Sequence, residues 1–460
     1  MARVRNDRLA NLLTEAGWSR AQTAAAFNRV ARDSGVSQAH VGRSHISMWV
    51  AGSHPSGQAP ALLCQALSRR LGRDLTLADL GFADSATAGQ EPPPWHLDPV
   101  AALANLGRSD LDPDRRKLLK GAVYSATSLA LPDQVWWDRM ASTPAAASAR
   151  PQRIGAGDVD TVRDLFATFS QIDQRRGGGH GRTALVQYLH TEVAAFLRGT
   201  FPSDQVRAEM FSAAGELAYL SGWMAFDNSE HPLAQQYFLL ALKLCAHSGN
   251  PPLTGHVLRA MAHQALDLGH PQRGLELAEA SVQGQRYLSA TPRERALLGV
   301  VYARAQASAG QSRAAAQTLL RAEDDLSEAR DGITEPFRTF FFATASLAHE
   351  TACTLRASGD HRGAIRQFRH SVRTRGAAFK RTHAVTLGYL GAAHLSVGEV
   401  DQACATWDTA LQAMQDGVYS GRARKSVVEM RTLLSPYRRR GIPAIADLDA
   451  RAAAYLANLD

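Results

Sequence analysis

Cysteine is too scarce in this chain to build a metal or redox centre. Four occur in 460 residues, Cys64, Cys245, Cys353 and Cys404, and no two stand at ligand or redox spacing. Each falls in a helical pattern beside apolar residues, which predicts buried free thiols and suits a reducing compartment. No apolar run approaches roughly 18 residues and no apolar segment opens the chain, so neither a membrane span nor a secretory signal is expected. Strand-favouring residues are sparse and Ala abounds, which predicts an all-α fold. The His-Glu-x-x-His and Gly-x-Ser-x-Gly patterns are missing, and no close carboxylate set falls on a predicted loop. The expectation is a protein that is not an enzyme and has no cofactor and no metal site.

Lys is also scarce, so Arg carries the positive charge, and that charge is unevenly placed. The net charge is +8, and residues 1–80 hold 10 Arg against 5 Asp or Glu. That end therefore carries +5 of the +8, an excess that points to phosphate contacts made there.

The same end contains the most specific pattern. Residues 41–55 read Val-Gly-Arg-Ser-His-Ile-Ser-Met-Trp-Val-Ala-Gly-Ser-His-Pro. Ile46 and Trp49 share one face of a short helix, while Arg43, Ser44, Ser47 and Met48 fall on the other side. Gly52 and Pro55 end it. Upstream, Leu9, Leu12 and Leu13 form one helical stripe closed by Gly17. Ser19 and Gln22 form a capping box for a helix that turns Ala24, Phe27 and Val30 inward. Residues 58–71 predict a fourth helix, and Leu77 and Leu80 a short fifth. This arrangement over residues 1–82 resembles the lambda-repressor-like (XRE-type) helix-turn-helix family. The resemblance implies a reader of double-stranded DNA, with Arg20, Gln22, Arg43, Ser44, His45, Ser47 and Met48 facing the nucleic acid.

Residues 83–113, centred on Pro92-Pro93-Pro94, read as a semi-flexible linker within a connecting region that extends to residue 150. Arg115-Arg116-Lys117 before a small apolar stretch imitates a twin-arginine export signal. Its internal position favours a packing helix. The pair Trp136-Trp137 is expected to pack on the helical body, an exposed docking site being the alternative.

From residue 151 to 460 the chain reads as helix pairs. Gly269, Gly310, Gly359 and Gly398 are each followed at five residues by Gly274, Ala315, Ala364 and Ala403. Ala278, Leu319, Phe368 and Trp407 come next, then Ser281, Ala322, Ser371 and Ala410. A further copy keeps Gly222, Ala234, Phe238 and Ala241 without the turn glycine. The pattern resembles the tetratricopeptide repeat, over roughly residues 210–415, and implies a superhelix with a concave face. The expected groove residues, from the first helix of each pair, are Gln264, Arg304, His349 and His394. Before the repeats, the run Arg175-Arg176-Gly177-Gly178-Gly179-His180 either holds an anion on backbone N–H groups or is a turn between close helices. It is similar to a loop of actinobacterial repeat-containing regulators.

Together these features predict a cytoplasmic transcriptional regulator, a homodimer with no membrane association. Its repeats would sense a peptide, a small molecule or a protein partner. A repeat-based interaction adaptor with a vestigial helix-turn-helix is the alternative.

Overall fold

The computed structural model describes residues 5–33, 40–73, 75–82, 95, 97–121, 124–126, 129, 131–142, 152–330, 332–440 and 442–458. Among them the fold is all-helical, and the one β-type feature is an isolated bridge between Arg153 and Thr200. No described helix is long and apolar enough to cross a membrane.

The first unit comprises α1 (Asp7–Glu15), α2 (Arg20–Asp33), α3 (Arg43–Val50) and α4 (Ala59–Leu71). Leu9, Phe27, Ile46, Trp49, Leu62 and Leu67 form its core. The Ser19–Gln22 capping box is present in both directions. Gly17 and Gly52 adopt the left-handed backbone that ends α1 and α3, as their positions predict. The fifth helix expected at Leu77 and Leu80 is instead a turn. Asp79 accepts hydrogen bonds from the Thr76 N–H and hydroxyl, and this local closure replaces helical pairing.

The linker expectation also needs correction. Pro92–Pro94 lie outside the described residues, but α5 (Pro99–Leu111) occupies much of the proposed linker. Asp98 caps it by accepting from the Val100 and Ala101 N–H groups. Its Val100 and Leu103 are buried in the same core as the repeats. Asp110, read as a polar linker residue, is buried and pairs with Arg182 while accepting from the Tyr237 hydroxyl at 2.8 Å. Then come α6 (Pro113–Gly121), which contains the Arg115-Arg116 pair, and α7 (Gln134–Ser142). Trp137 of α7 is buried, and Trp95, Trp136 and Trp137 pack ring to ring against that core. The helical body therefore takes in residues ahead of 151.

The body continues with α8 (Ala156–Arg176), α9 (Arg182–Tyr188) and α10 (Ala194–Phe196). The repeats follow as helix pairs: α11 (Asp204–Asp227) with α12 (His231–Ser248), and α13 (Pro251–Asp267) with α14 (Pro271–Ser281). After the short α15 (Gln285–Leu288), α16 (Pro292–Ser308) pairs with α17 (Ser312–Glu328). Then α18 (Thr344–Ala357) pairs with α19 (His361–Thr374), and α20 (Lys380–Ser396) with α21 (Val400–Gln415). The chain finishes with α22 (Gly421–Leu434) and α23 (Pro443–Ala457).

The repeat spacing has a direct structural cause. Gly269, Gly310, Gly359 and Gly398 each occupy the turn within a pair with φ between +79° and +87°. In the copy without a glycine, Ser229 takes the same role at φ +63°. The small residues that follow are buried at the crossing of the two helices, and Phe368 and Trp407 fill the space beyond. Gly391 lies against the Trp407 ring and Gly222 against the Phe238 ring, so neither leaves room for a side chain.

Candidate functional site

On the first unit, α3 is held by its apolar side and presents its polar side. Ile46 and Trp49 are buried, and Trp49 packs against Phe27 of α2. Arg43, Ser44 and His45 are exposed at the helix start, and Met48 is 45% exposed one turn on. The His45 ring accepts from the Gly42 N–H at 3.1 Å, which engages one ring nitrogen in capping. Ser47 donates to the Arg43 carbonyl and accepts from Arg20 at 3.2 Å, so Arg20 joins the start of α2 to α3. Gln22 is exposed but its amide oxygen is used by the capping box. Five of the seven expected residues thus lie on α3 and Arg20 reaches it through Ser47, while Gln22 is engaged at the start of α2; Arg43, Ser44 and Met48 are the least engaged.

One positioning residue escaped the sequence reading. The Asn28 side chain donates to the Val41 carbonyl and accepts from the Val41 N–H, both at 2.9 Å. This two-point clamp fixes the approach to α3 against the middle of α2. An Asn inside a helical pattern, where its propensity is poor, was the available signal.

The second feature is central. The first helices of the pairs line the inner face, as expected, but that face does not form an open groove. Helix α8 lies between α11 and α20 and closes the ring of helices. The segment between α17 and α18 turns inward, and its Arg338 pairs with Glu294 of α16 at 2.7 Å and Glu216 of α11 at 2.9 Å. What remains is a cavity of about 50 Å³. Trp223, Leu297, Phe342 and Val385 supply apolar wall, and Arg259, Arg375, Arg381 and Arg422 supply guanidinium groups.

The four groove candidates divide. His349 lines the cavity and is hydrogen-bonded to the Thr386 hydroxyl at 2.9 Å. Arg304 lies behind the wall, pairing with Asp267 and, at 3.5 Å, with Glu350. Gln264 is buried and donates to the His231 carbonyl, tying α13 to the start of α12. His394 is buried at the end of α20 and bonds Glu399. The helices were legible but the register was not. Of the residues missed, Arg259 is an arginine inside an otherwise apolar helix segment, whereas Arg381 stands in the polar first turn of α20 beside Lys380 and Thr382. That oddity marks Arg259; nothing local marks Arg381.

Electrostatics sharpen the picture. Burial pushes His263 and His349 well below the ordinary imidazole range, and neighbouring arginines add to it. Both rings are therefore neutral at pH 7. The His263 Nε2 faces guanidinium donors of Arg304 at 3.3 Å and Arg422 at 3.1 Å, which assigns it as the acceptor and places the proton on Nδ1. The cavity's positive charge comes from arginine alone.

The Gly177–Gly179 loop is a close turn. Its Gly178 N–H donates to the Asp227 carboxylate at 3.0 Å, and a side chain on Gly178 would strike the Met224 carbonyl. A backbone donor already aimed at a carboxylate is not an anion site. The four cysteines are buried and free, as their sequence setting predicts.

The family model described as the SP15 N-terminal domain matches residues 9–83, the span of the first unit. No curated protein matches the chain.

Proposed function

We propose that the chain is a sequence-specific DNA-binding transcriptional regulator of the XRE type whose tetratricopeptide-like body senses a ligand. One observation carries the DNA-binding half. A short helix buries Ile46 and Trp49, and its start offers Arg43 and Ser44 to solvent in a segment with 10 Arg against 5 Asp or Glu. An Arg there is suited to a two-point contact with guanine in the major groove. Arg20, Ser47, His45, Gln22 and Met48 would flank that contact and meet phosphate or base edges.

We further propose a homodimer in the cytoplasm. A single eight-residue helix reads few base pairs, and two copies related by two-fold symmetry double the site. Four buried free thiols accord with a reducing compartment.

The test is binding of the full chain to double-stranded DNA across a salt series. The reading expects affinity to fall linearly with salt on logarithmic axes, with a slope set by the phosphates contacted. Absence of binding at low salt would remove it and leave the interaction-adaptor alternative.

A further inference from the structure

The central cavity contains positive charge that its own walls do not neutralise. Arg259 is 2% exposed, yet no carboxylate among the described residues pairs with it. Its one hydrogen bond goes to the Tyr219 hydroxyl at 3.0 Å, it stacks on Trp223, and its Nε–H is buried without a partner. Arg375 enters from the end of α19. It donates to the Ala345 carbonyl and to the Ser371 and Ser346 hydroxyls, again with no carboxylate and with its Nε–H buried and unpartnered. Burial and the neighbouring Arg381 push its guanidinium down to about 10, against the weaker opposing field of Glu350.

The other charges are largely paired. Arg381 bridges Asp173 and Asp227, and Arg422 faces Asp267 at 3.3 Å. Glu350 is the carboxylate among the lining residues, and it is drawn toward Arg304 and His263. Unneutralised guanidinium groups are costly in such a place, and proteins retain them where an anion completes the site. The lining is otherwise apolar and aromatic in part, and both Arg259 and Arg381 approach the Trp223 ring, at 5.5 Å and 5.9 Å from its centre.

We propose that the cavity is a binding site for a small oxyanion, a compact molecule whose phosphate or carboxylate group is held between Arg259 and Arg375. Neutral His263 and His349 flank the anion, and its remaining atoms meet Trp223 and Phe342. The inference deepens the sensing half of the proposed function and rests on that reading only for its effect on DNA.

The experiment is isothermal titration of the full chain with inorganic phosphate, with succinate and with neutral succinamide, at constant ionic strength. Saturable one-to-one binding of phosphate or succinate, but not succinamide, is expected. Phosphate alone would identify a phosphorylated ligand and succinate alone a carboxylate. Replacing one charge-assisted donor in Arg375→Gln or Arg259→Gln is expected to weaken binding about tenfold. Should Arg259→Gln fail to fold, Arg375→Gln, in the loop after α19, gives the comparison. No heat from either anion, equal binding of succinamide, or unchanged affinity in Arg375→Gln would overturn the proposal. Anion binding that leaves DNA affinity unmoved upholds the site and removes only its coupling to DNA.

Discussion

Arg381 and Asp173 meet at 3.1 Å, joining the first helix of the last aligned pair to α8, which lies ahead of all the pairs. Both side chains are about 2% exposed. Around them the Tyr419 N–H donates to the Arg176 carbonyl at 2.6 Å, and the Gly179 N–H to the Tyr419 carbonyl at 3.2 Å. Asp227 accepts from Arg381, Ser420 and Gly178 together. These contacts turn an open stack of pairs into a closed ring. Removing one partner of a buried pair typically costs about 3–5 kcal/mol, because the other charge is left stranded. Arg381→Met is therefore expected to destabilise the body by about that much. Hydrogen exchange should show lost protection first near residues 173–180 and 418–422. Unchanged protection there would mean that the ring is closed by other contacts.

The repeat assignment can be tested with two glycines of unlike kind. Gly310 has φ +83° but open space around it, so Gly310→Ala meets only the left-handed backbone cost of about 1–2 kcal/mol. Gly391 lies mid-helix against the Trp407 ring. Gly391→Ala must move that ring, and overpacking of this kind costs about 1–3 kcal/mol or more. The expected signature is a native-like Trp fluorescence spectrum for the first variant and an altered one for the second, read alongside urea unfolding.

Much of this architecture was legible because turn glycines and small crossing residues recur at fixed spacing, and local geometry dictates both. The closure was not. Nothing local marks Asp173 and Arg381 as partners, since they lie 208 residues apart. The inward turn of Arg338 onto Glu216 and Glu294 was hidden for the same reason. Likewise α5 read as linker because Asp98 and Asp110 look like loop residues until their cap and ion-pair partners are known. Sequence periodicity identified the inner helices, but which residue of each turn reaches the cavity depends on helix rotation, and that is set by packing.

Acid should weaken the cluster around Arg338. Burial opposes ionisation of Glu294, but Arg338 and His256 outweigh it and hold the carboxyl down at about 2. A carboxylate depressed in the folded state adds stability above its unfolded pKa and loses it as pH falls toward 2. The size is about 3 kcal/mol, from about 1.4 kcal/mol per pKa unit. Burial, aided by Arg259, lowers His256 to about 3, so its stabilising effect is likewise lost as pH falls from about 6.5 to 3. Burial raises Glu216, which works in the opposite sense. Unfolding free energy measured from pH 7 to pH 3 should fall, and Glu294→Gln should flatten the fall. A profile unchanged in that variant would exclude Glu294 as a source.

Trp49 is expected to be structural. It is 6% exposed and packs on Phe27 at a ring separation of 5.9 Å. Truncating a buried Trp costs about 3–5 kcal/mol. Thermal melting of Trp49→Ala should show the first unit unfolded or strongly destabilised. Unchanged melting with loss of DNA binding would place Trp49 at the nucleic acid instead.

The most direct measurement is selection of genomic DNA fragments by the full chain, run in parallel with Arg43→Ala. Arg43 is exposed at the start of α3, and a two-point contact to guanine contributes roughly 1–3 kcal/mol of discrimination. The wild-type chain should enrich one sequence containing two symmetric half-sites, and Arg43→Ala should lose that enrichment while retaining salt-dependent binding to random DNA. Fragments no more enriched than random by the wild-type chain would contradict sequence-specific DNA recognition.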